Sequence, residues 1–317
     1  MNEFTNILKK LNELPIYLAG HINPDQDSIC SCLALALFLK SIGKQAYVLL
    51  KDEDLDIINW NPNPKLIIND IKTTNSFNFI ALDVNEKKRL GDYEKYFDLA
   101  KFTINIDHHQ DNKYESDFTI SNPNASATCE IIFDIINNYD MNLLTPQICQ
   151  YLYSGILNDT NCFTRRISNN TLYIVQQLIN KNINYSNIIN ETFSQRSLYE
   201  YKALSKVINE IEFDEFHYVV IDKSFDEYKY LTHNQIVKKI AEDLRKIKGI
   251  ETLILLIKDG NKIVGKCMTN INANANKIAE IFNGGGHKKE AGFTIYDEYI
   301  DNIIYKIKLF ILKKESH

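Results

Sequence analysis

Short apolar runs broken by polar turns fill the first half of the chain. Residues 16–21 (IYLAGH), 45–50 (QAYVLL), 77–84 (FNFIALDV) and 102–109 (FTINIDHH) read as strands, apolar enough for burial on both faces. Residues 28–43 (SICSCLALALFLKSIG) read as a helix that is apolar nearly all round and closed by Gly43. Thr128–Tyr139 (TCEIIFDIINNY) and residues 146–160 (PQICQYLYSGILNDT) read as two more helices. The strand–helix rhythm predicts an α/β domain on a mainly parallel sheet flanked by helices.

A polar, helix-prone stretch, residues 187–211 (NIINETFSQRSLYEYKALSKVINEI), separates this half from a second α/β pattern. There, residues 216–222 (FHYVVID) read as a strand. Residues 252–268 (TLILLIKDGNKIVGKCM) read as a hairpin turning at Asp259-Gly260-Asn261. Residues 234–249 and 275–282 read as helices, and residues 284–296 (GGGHKKEAGFTIY) as a glycine-rich loop leading into a strand. The expected organisation is an α/β domain over residues 1–190, a helical linker over 191–210 and a smaller α/β domain over 211–317. The sequence has no internal repeat and no long low-complexity tract.

The 317 residues suffice for two cores, and 44% hydrophobic with 24% charged residues is ordinary for a soluble globular protein. A net charge of −5 argues against a broad basic surface for long duplex nucleic acid and suits a small anionic ligand better. The six cysteines form no C-x-x-C pair, and most sit in apolar runs as reduced core thiols do. The N-terminal MNEFTNILKKLNELP is amphipathic and charged, unlike a signal peptide. The longest apolar run, Ile29–Leu39, is about half of a membrane span. These features lead to the expectation of a cytoplasmic protein with no membrane contact; a homodimer is compatible with them.

Three strands of the first half stop at His21, Asp83 and Asp107, and open α/β sheets collect ligands at the carboxyl ends of their strands. The loop GHINPDQDS adds Asp25 and Asp27, IDHHQ adds His108 and His109, and GILNDTNCF adds Asp159. Each motif alone has an ordinary explanation: Asp27 or Ser28 as a helix cap, Asp83 as a turn former. Adjacent residues of an extended chain alternate faces, so His108 and His109 cannot both point at one ion while the strand continues. Five carboxylates and three imidazoles from four places would repel at one rim without positive charge. Two divalent metals about 3.5–4 Å apart would supply that charge and activate a bridging hydroxide. The mixed carboxylate and imidazole set suits Mn²⁺, Fe²⁺ or Zn²⁺ better than Ca²⁺ or Mg²⁺ alone.

GHINPDQDS, ALDVNEKKRLG, IDHHQ and GILNDTNCF, in that order, resemble the four motifs of the DHH phosphoesterase superfamily. GGGHKKEAG resembles the signature of the associated DHHA1 domain, so the likeness runs from about residue 15 to residue 296. The size resembles the stand-alone oligoribonuclease (nanoRNase) and cyclic-dinucleotide phosphodiesterase branch; the chain is short for a RecJ-like exonuclease. The resemblance implies two Mn²⁺ ions, one held by His21, Asp25 and Asp83, the other by Asp27, Asp83, His108 and Asp159. It implies that His109 faces the scissile phosphate or leaving oxygen, with Asp107 near the metals or orienting a histidine. Gly284, Gly285, Gly286 and His287 would bind substrate across an interdomain cleft; Arg165 and Arg166, which closely follow the fourth motif, read equally as a phosphate clamp supplied by one of them or as a solvated basic pair. The implied function is a phosphodiesterase for short nucleotides: cyclic di-AMP, pApA or nanoRNA. A phosphatase for 3′-phosphoadenosine 5′-phosphate is the alternative, and a non-hydrolysing cyclic-dinucleotide sensor a weaker one. Three positions depart from the family pattern. Cys30 and Asn161 stand where relatives have glycine, and GKCMTNIN lacks a phosphate-binding arginine, leaving Lys266 nearby.

Overall fold

The computed structural model describes the chain except for residues 1–6, 9, 12, 59–62, 73–74, 111, 195–196, 215, 223, 225–239, 242, 245, 270–273, 287 and 316–317. It divides into two compact units, Met1–Gln195 and Arg196–His317. Among the described residues no helix is long and apolar enough to cross a membrane.

The first unit is built on a six-stranded parallel sheet. Its strands are β1 (Ile16–Ala19), β2 (Ala46–Leu49), β3 (Ile67–Ile68), β4 (Asn78–Leu82), β5 (Phe102–Asp107) and β6 (Phe118–Ser121). The short β3 and β6 were not legible as strands. Their side chains are intermediate or exposed, so the unbroken apolar signature of the central strands is missing. The apolar runs alternate faces, as strand geometry requires. Ile16, Leu18, Ile80, Leu82, Ile104 and Ile106 enter one core, while Tyr17, Ala19, Phe79 and Ala81 enter another on the opposite side. Helices α1 (Gln26–Ser41), α2 (Glu94–Leu99), α3 (Thr128–Asp140) and α4 (Pro146–Asp159) account for most of that cover.

The strand order β3-β2-β1-β4-β5-β6 reverses direction between β1 and β4. Connections leaving these two neighbours run to opposite sides, which opens a crevice at their carboxyl ends. His21 follows β1 and Asp83 follows β4, so the sheet topology alone brings both to that crevice.

In the second unit, helix α5 (Leu198–Asn209) is not a free linker. Its Ala203 and Val207 are fully buried in that unit's own core, beside Val219, Leu253 and Leu255. A mixed six-stranded sheet carries β7 (Glu212–Phe213), β8 (His217–Asp222), β9 (Thr252–Asp259), β10 (Lys262–Thr269), β11 (Gly285–Gly286) and β12 (Glu290–Tyr296). The expected hairpin forms, with Asp259 opposite Lys262 and Gly260 at φ 61° in the turn. The helix expected over residues 234–249 lies largely outside the described residues. Helices α6 (Ala275–Glu280) and α7 (Ile300–Glu315) complete the unit.

The glycine-rich stretch is partly strand: Gly285 pairs with Gly292 and Gly286 with Ala291. A Cβ at Gly284 would lie 2.3 Å from the Gly292 carbonyl oxygen, whereas at Gly285 the nearest atom would be 3.8 Å away. Close backbone approach therefore accounts for Gly284 without any ligand, and Gly285 is left with no such need. Gly284→Ala should destabilise the protein by about 1–3 kcal/mol through overpacking. Gly285→Ala should stay within about 0.5 kcal/mol of wild type. Urea unfolding followed by circular dichroism separates the two; equal losses would contradict the packing account.

Candidate metal centre

The first loop is shaped from two sides. Asp25 is the N-cap of α1 and accepts the Ser28 N–H at 3.1 Å, so the cap expected of Asp27 or Ser28 belongs to Asp25. Ser28 Oγ instead accepts the His21 N–H at 3.2 Å. From the other side, the Ile22 N–H donates to the Arg89 carbonyl at 2.7 Å. Gly91 sits at φ 58°, where a Cβ would lie 2.1 Å from Ile22 Cγ2. The KKRLG half of the second motif thus makes room for the loop that carries His21.

Asp83 stands at the centre. It follows β4 with φ 59°, a left-handed conformation that aspartate tolerates better than most residues, and is 2% exposed. Its two oxygens face different partners. Oδ2 lies 3.5 Å from His21 Nε2; Oδ1 lies 3.5 Å from His108 Nε2 and accepts the Thr128 hydroxyl at 3.1 Å. In His21 the Nδ1–H donates to the Ile22 carbonyl at 2.9 Å, and in His108 to the Ala125 carbonyl at 3.2 Å. A carbonyl can only accept, so Nδ1 bears the proton in both rings and Nε2 is left for a cation or a carboxylate.

Asp27 is fully buried and comes from the second residue of α1. Its Oδ2 accepts the Thr128 N–H at 2.7 Å and its Oδ1 the Cys129 N–H at 3.0 Å. These are the first two amides of α3, so Asp27 caps a helix remote in sequence and meets the positive end of its dipole. Asp159, the last residue of α4, places Oδ2 3.2 Å from His108 Nε2.

These residues form two sets of potential ligands, His21–Asp25–Asp83 and Asp27–His108–Asp159, each with its ligand atoms within 4.8 Å of one another. Asp83 joins them. A third set, Asp83–His108–His109, overlaps both. The strand stops at Asp107, so the two histidines are freed from strict alternation, and His109 Nδ1 also comes within 3.7 Å of Asp83 Oδ1. That nitrogen is nonetheless much nearer to Asp107 Oδ1, at 2.6 Å. Asp107 is held in turn by Asn112, whose Nδ2 donates to Asp107 Oδ2 at 2.9 Å and to Asn105 Oδ1 at 2.7 Å.

The electrostatics fit bound cations. Among the described residues no lysine or arginine pairs with Asp27, Asp83 or Asp159; their opposing groups are imidazoles, backbone N–H donors and the Thr128 hydroxyl. Burial, then repulsion from Asp159, pushes Asp27 up to about 7. Burial, then repulsion from Asp27, Asp25 and Asp159, pushes Asp83 well above the carboxylate range. Burial works to lower His108, but its hydrogen bond to Asp159 and the charges of Asp83, Asp27 and Asp159 outweigh it and raise the imidazole to about 10. Four aspartates and two imidazole Nε2 atoms form a donor set suited to divalent ions of the Mn²⁺, Fe²⁺ or Zn²⁺ kind.

Beyond Asp159 the backbone takes three consecutive left-handed residues, Asn161, Cys162 and Phe163, at φ 48°, 56° and 61°. Asparagine is among the side chains that best tolerate this region after glycine, so Asn161 suits the left-handed start of this turn. Arg165 and Arg166 are exposed on the same turn. His287 lies outside the described residues, and Gly284–Gly286 belong to the second unit. Thr128, Asn105 and Asn112 were missed in the sequence. The signal at Asn105 was a polar residue between Ile104 and Ile106 in a buried strand; Thr128 read only as a helix start.

Residues 15–156 match the DHH family, N-terminal domain, and residues 216–313 match the DHHA1 domain. Over its full length the chain is 26% identical to the uncharacterized protein MG371 homolog of Mycoplasma pneumoniae, covering 97% of that protein. Over 93% of its length it is 25% identical to the bifunctional oligoribonuclease and PAP phosphatase NrnA of Thermus thermophilus, covering 88% of it. Its fold is similar to the crystal structure of an exopolyphosphatase-related protein from Bacteroides fragilis, with a TM-score of 0.84 at 22% identity. That likeness covers 98% of this chain and 94% of the other.

The raised carboxylates set a pH dependence for the metal-stripped protein. Asp27 binds its proton more tightly folded than unfolded, so its contribution to stability is present near pH 4 and is lost as pH rises towards about 7. Mn²⁺ competes with that proton, so its stabilising effect should grow over the same window. Thermal unfolding of chelator-treated protein between pH 5 and 7.5, with and without Mn²⁺, reads this directly. A metal-induced shift that is constant or shrinks with pH would contradict it.

Proposed function

Because the chain belongs to the DHH/DHHA1 phosphoesterase superfamily, we propose that it is a metal-dependent phosphodiesterase that hydrolyses short nucleotides, with Mn²⁺ as its metal. One observation carries this reading: a buried carboxylate, Asp83, turns each oxygen towards a different histidine-containing ligand set. His21, Asp25 and Asp83 would hold one cation, and Asp27, Asp83, His108 and Asp159 the second. Bound there, the cations would supply Lewis acidity to the phosphoryl oxygens and to the attacking water.

The protein groups have distinct tasks. Asp27 and Asp83 are almost wholly buried, whereas the Asp25, Asp159 and His109 side chains are 24%, 19% and 24% exposed. The phosphodiester therefore meets the centre on the face these three share with solvent. Asp107 accepts the Nδ1–H of His109 and fixes the ring, which leaves Nε2 to carry a proton to the departing oxygen. In the second unit, the Gly284–His287 stretch is our proposed nucleotide contact, and Arg165 our proposed phosphate contact.

The net charge of −5 favours a few nucleotides over a long strand. The likeness to the Thermus oligoribonuclease and PAP phosphatase supports short linear RNA as a substrate, and we extend the reading to dinucleotides such as pApA. The same likeness favours a second reading, a phosphatase acting on 3′-phosphoadenosine 5′-phosphate. Parallel turnover of pApA, short RNA, cyclic di-AMP and the bisphosphate, with Mn²⁺ and Mg²⁺ compared, tests both. Nucleoside monophosphates from the linear substrates, faster with Mn²⁺, are expected. Phosphate release from the bisphosphate alone would replace the first reading with the second. Asp83→Ala should lower turnover at least ~10³-fold, as loss of a ligand common to both ions. His109→Gln should lower kcat about 10²–10⁴-fold with a smaller change in KM. Full activity of either variant would remove that residue's role.

A further inference from the structure

The two ligand sets have a common outer support. Thr128, the first residue of α3, is fully buried and makes two bonds to two different aspartates. Its backbone N–H donates to Asp27 Oδ2 at 2.7 Å, and its hydroxyl donates to Asp83 Oδ1 at 3.1 Å. Asp27 belongs to one set and Asp83 serves both. We propose that Thr128 is a positioning residue that sets the rotation of the Asp83 carboxylate, so that one oxygen faces each metal site.

Without a donor on Oδ1, that carboxylate has few groups to fix its plane. The His21 and His108 Nε2 contacts are each 3.5 Å, longer than an ordinary hydrogen bond, and so fix its plane only loosely. Among the described residues the Thr128 hydroxyl is the side-chain donor that reaches this carboxylate within hydrogen-bond distance, at 3.1 Å. Its methyl and backbone come from a helix start that is itself tied to Asp27, so the hydroxyl has little freedom to move. A displaced Asp83 would weaken both sites together, which makes Thr128 a coupling point between them.

The inference rests on the two-cation reading, and calorimetric titration of chelator-stripped protein with Mn²⁺, no nucleotide present, tests the two separately. Thr128→Val keeps the shape and the N–H bond to Asp27 and removes only the hydroxyl. It should bind Mn²⁺ about 10–100-fold more weakly, the usual cost of losing such an outer hydrogen bond. Thr128→Ser, which keeps the hydroxyl, should bind within a few-fold of wild type. The metal-free melting temperatures of wild type and both variants show whether a weak binder is also a poorly folded one. Wild-type affinity in Thr128→Val would overturn the proposal. Equal weakness in Thr128→Ser and Thr128→Val would overturn it too, since the methyl group would then be what matters. A wild-type protein that takes up fewer than two Mn²⁺ would remove the underlying reading and this inference with it.

Discussion

Asp83 places a carboxylate where water barely reaches and where two more acids stand close by. A charge in that setting is costly unless positive or hydrogen-bonding groups surround it. Much of the first unit is arranged to provide them. The strand order reverses beside it, and the left-handed backbone at the end of β4 aims the side chain into the opening. Two imidazoles turn Nε2 towards its two oxygens, because their Nδ1 atoms are committed to backbone carbonyls. The same arrangement that would repel itself when empty of cations is a ready coordination site when they are present.

Helix α3 contributes through its first turn rather than through its length. Its first two amides have no partner inside the helix, as in any helix, and Asp27 takes them. That capping bond ties the chemistry to the core, because the rest of α3 packs through Ile132, Phe133 and Ile136. One carboxylate is thus a helix cap and a proposed metal ligand at once, and the structural and functional accounts of Asp27 are not rivals. The second unit shows the opposite separation. Gly284 is needed to bring one backbone against another, while a Cβ on its neighbour Gly285 would make only ordinary contact, 3.8 Å from Asn276 Oδ1.

The central strands, the main helices of the first unit and the hairpin of the second were legible in the sequence, because apolar period and turn residues report burial directly. Edge strands β3 and β6 were not, since a strand that is half exposed lacks the unbroken apolar run of a central one. The α5 helix read as a polar linker because only Ala203 and Val207, one turn apart, are fully buried apolar residues in it. The family likeness followed from the order of five motifs, and it supplied the sorting of ligands into two sets, which spacing alone left open.

By itself the sequence determined which residues carry charge and imidazole, and that several stand at the ends of apolar runs. Only the tertiary structure decided which of them meet and how. Asp25 took the cap expected of Asp27 or Ser28, His109 turned to Asp107, and Thr128, Asn105 and Asn112 emerged as supports. The physical reason is range: burial patterns are written along the chain, whereas hydrogen bonds such as that from Cys129 to Asp27 join positions 102 residues apart. No local pattern encodes such a pairing.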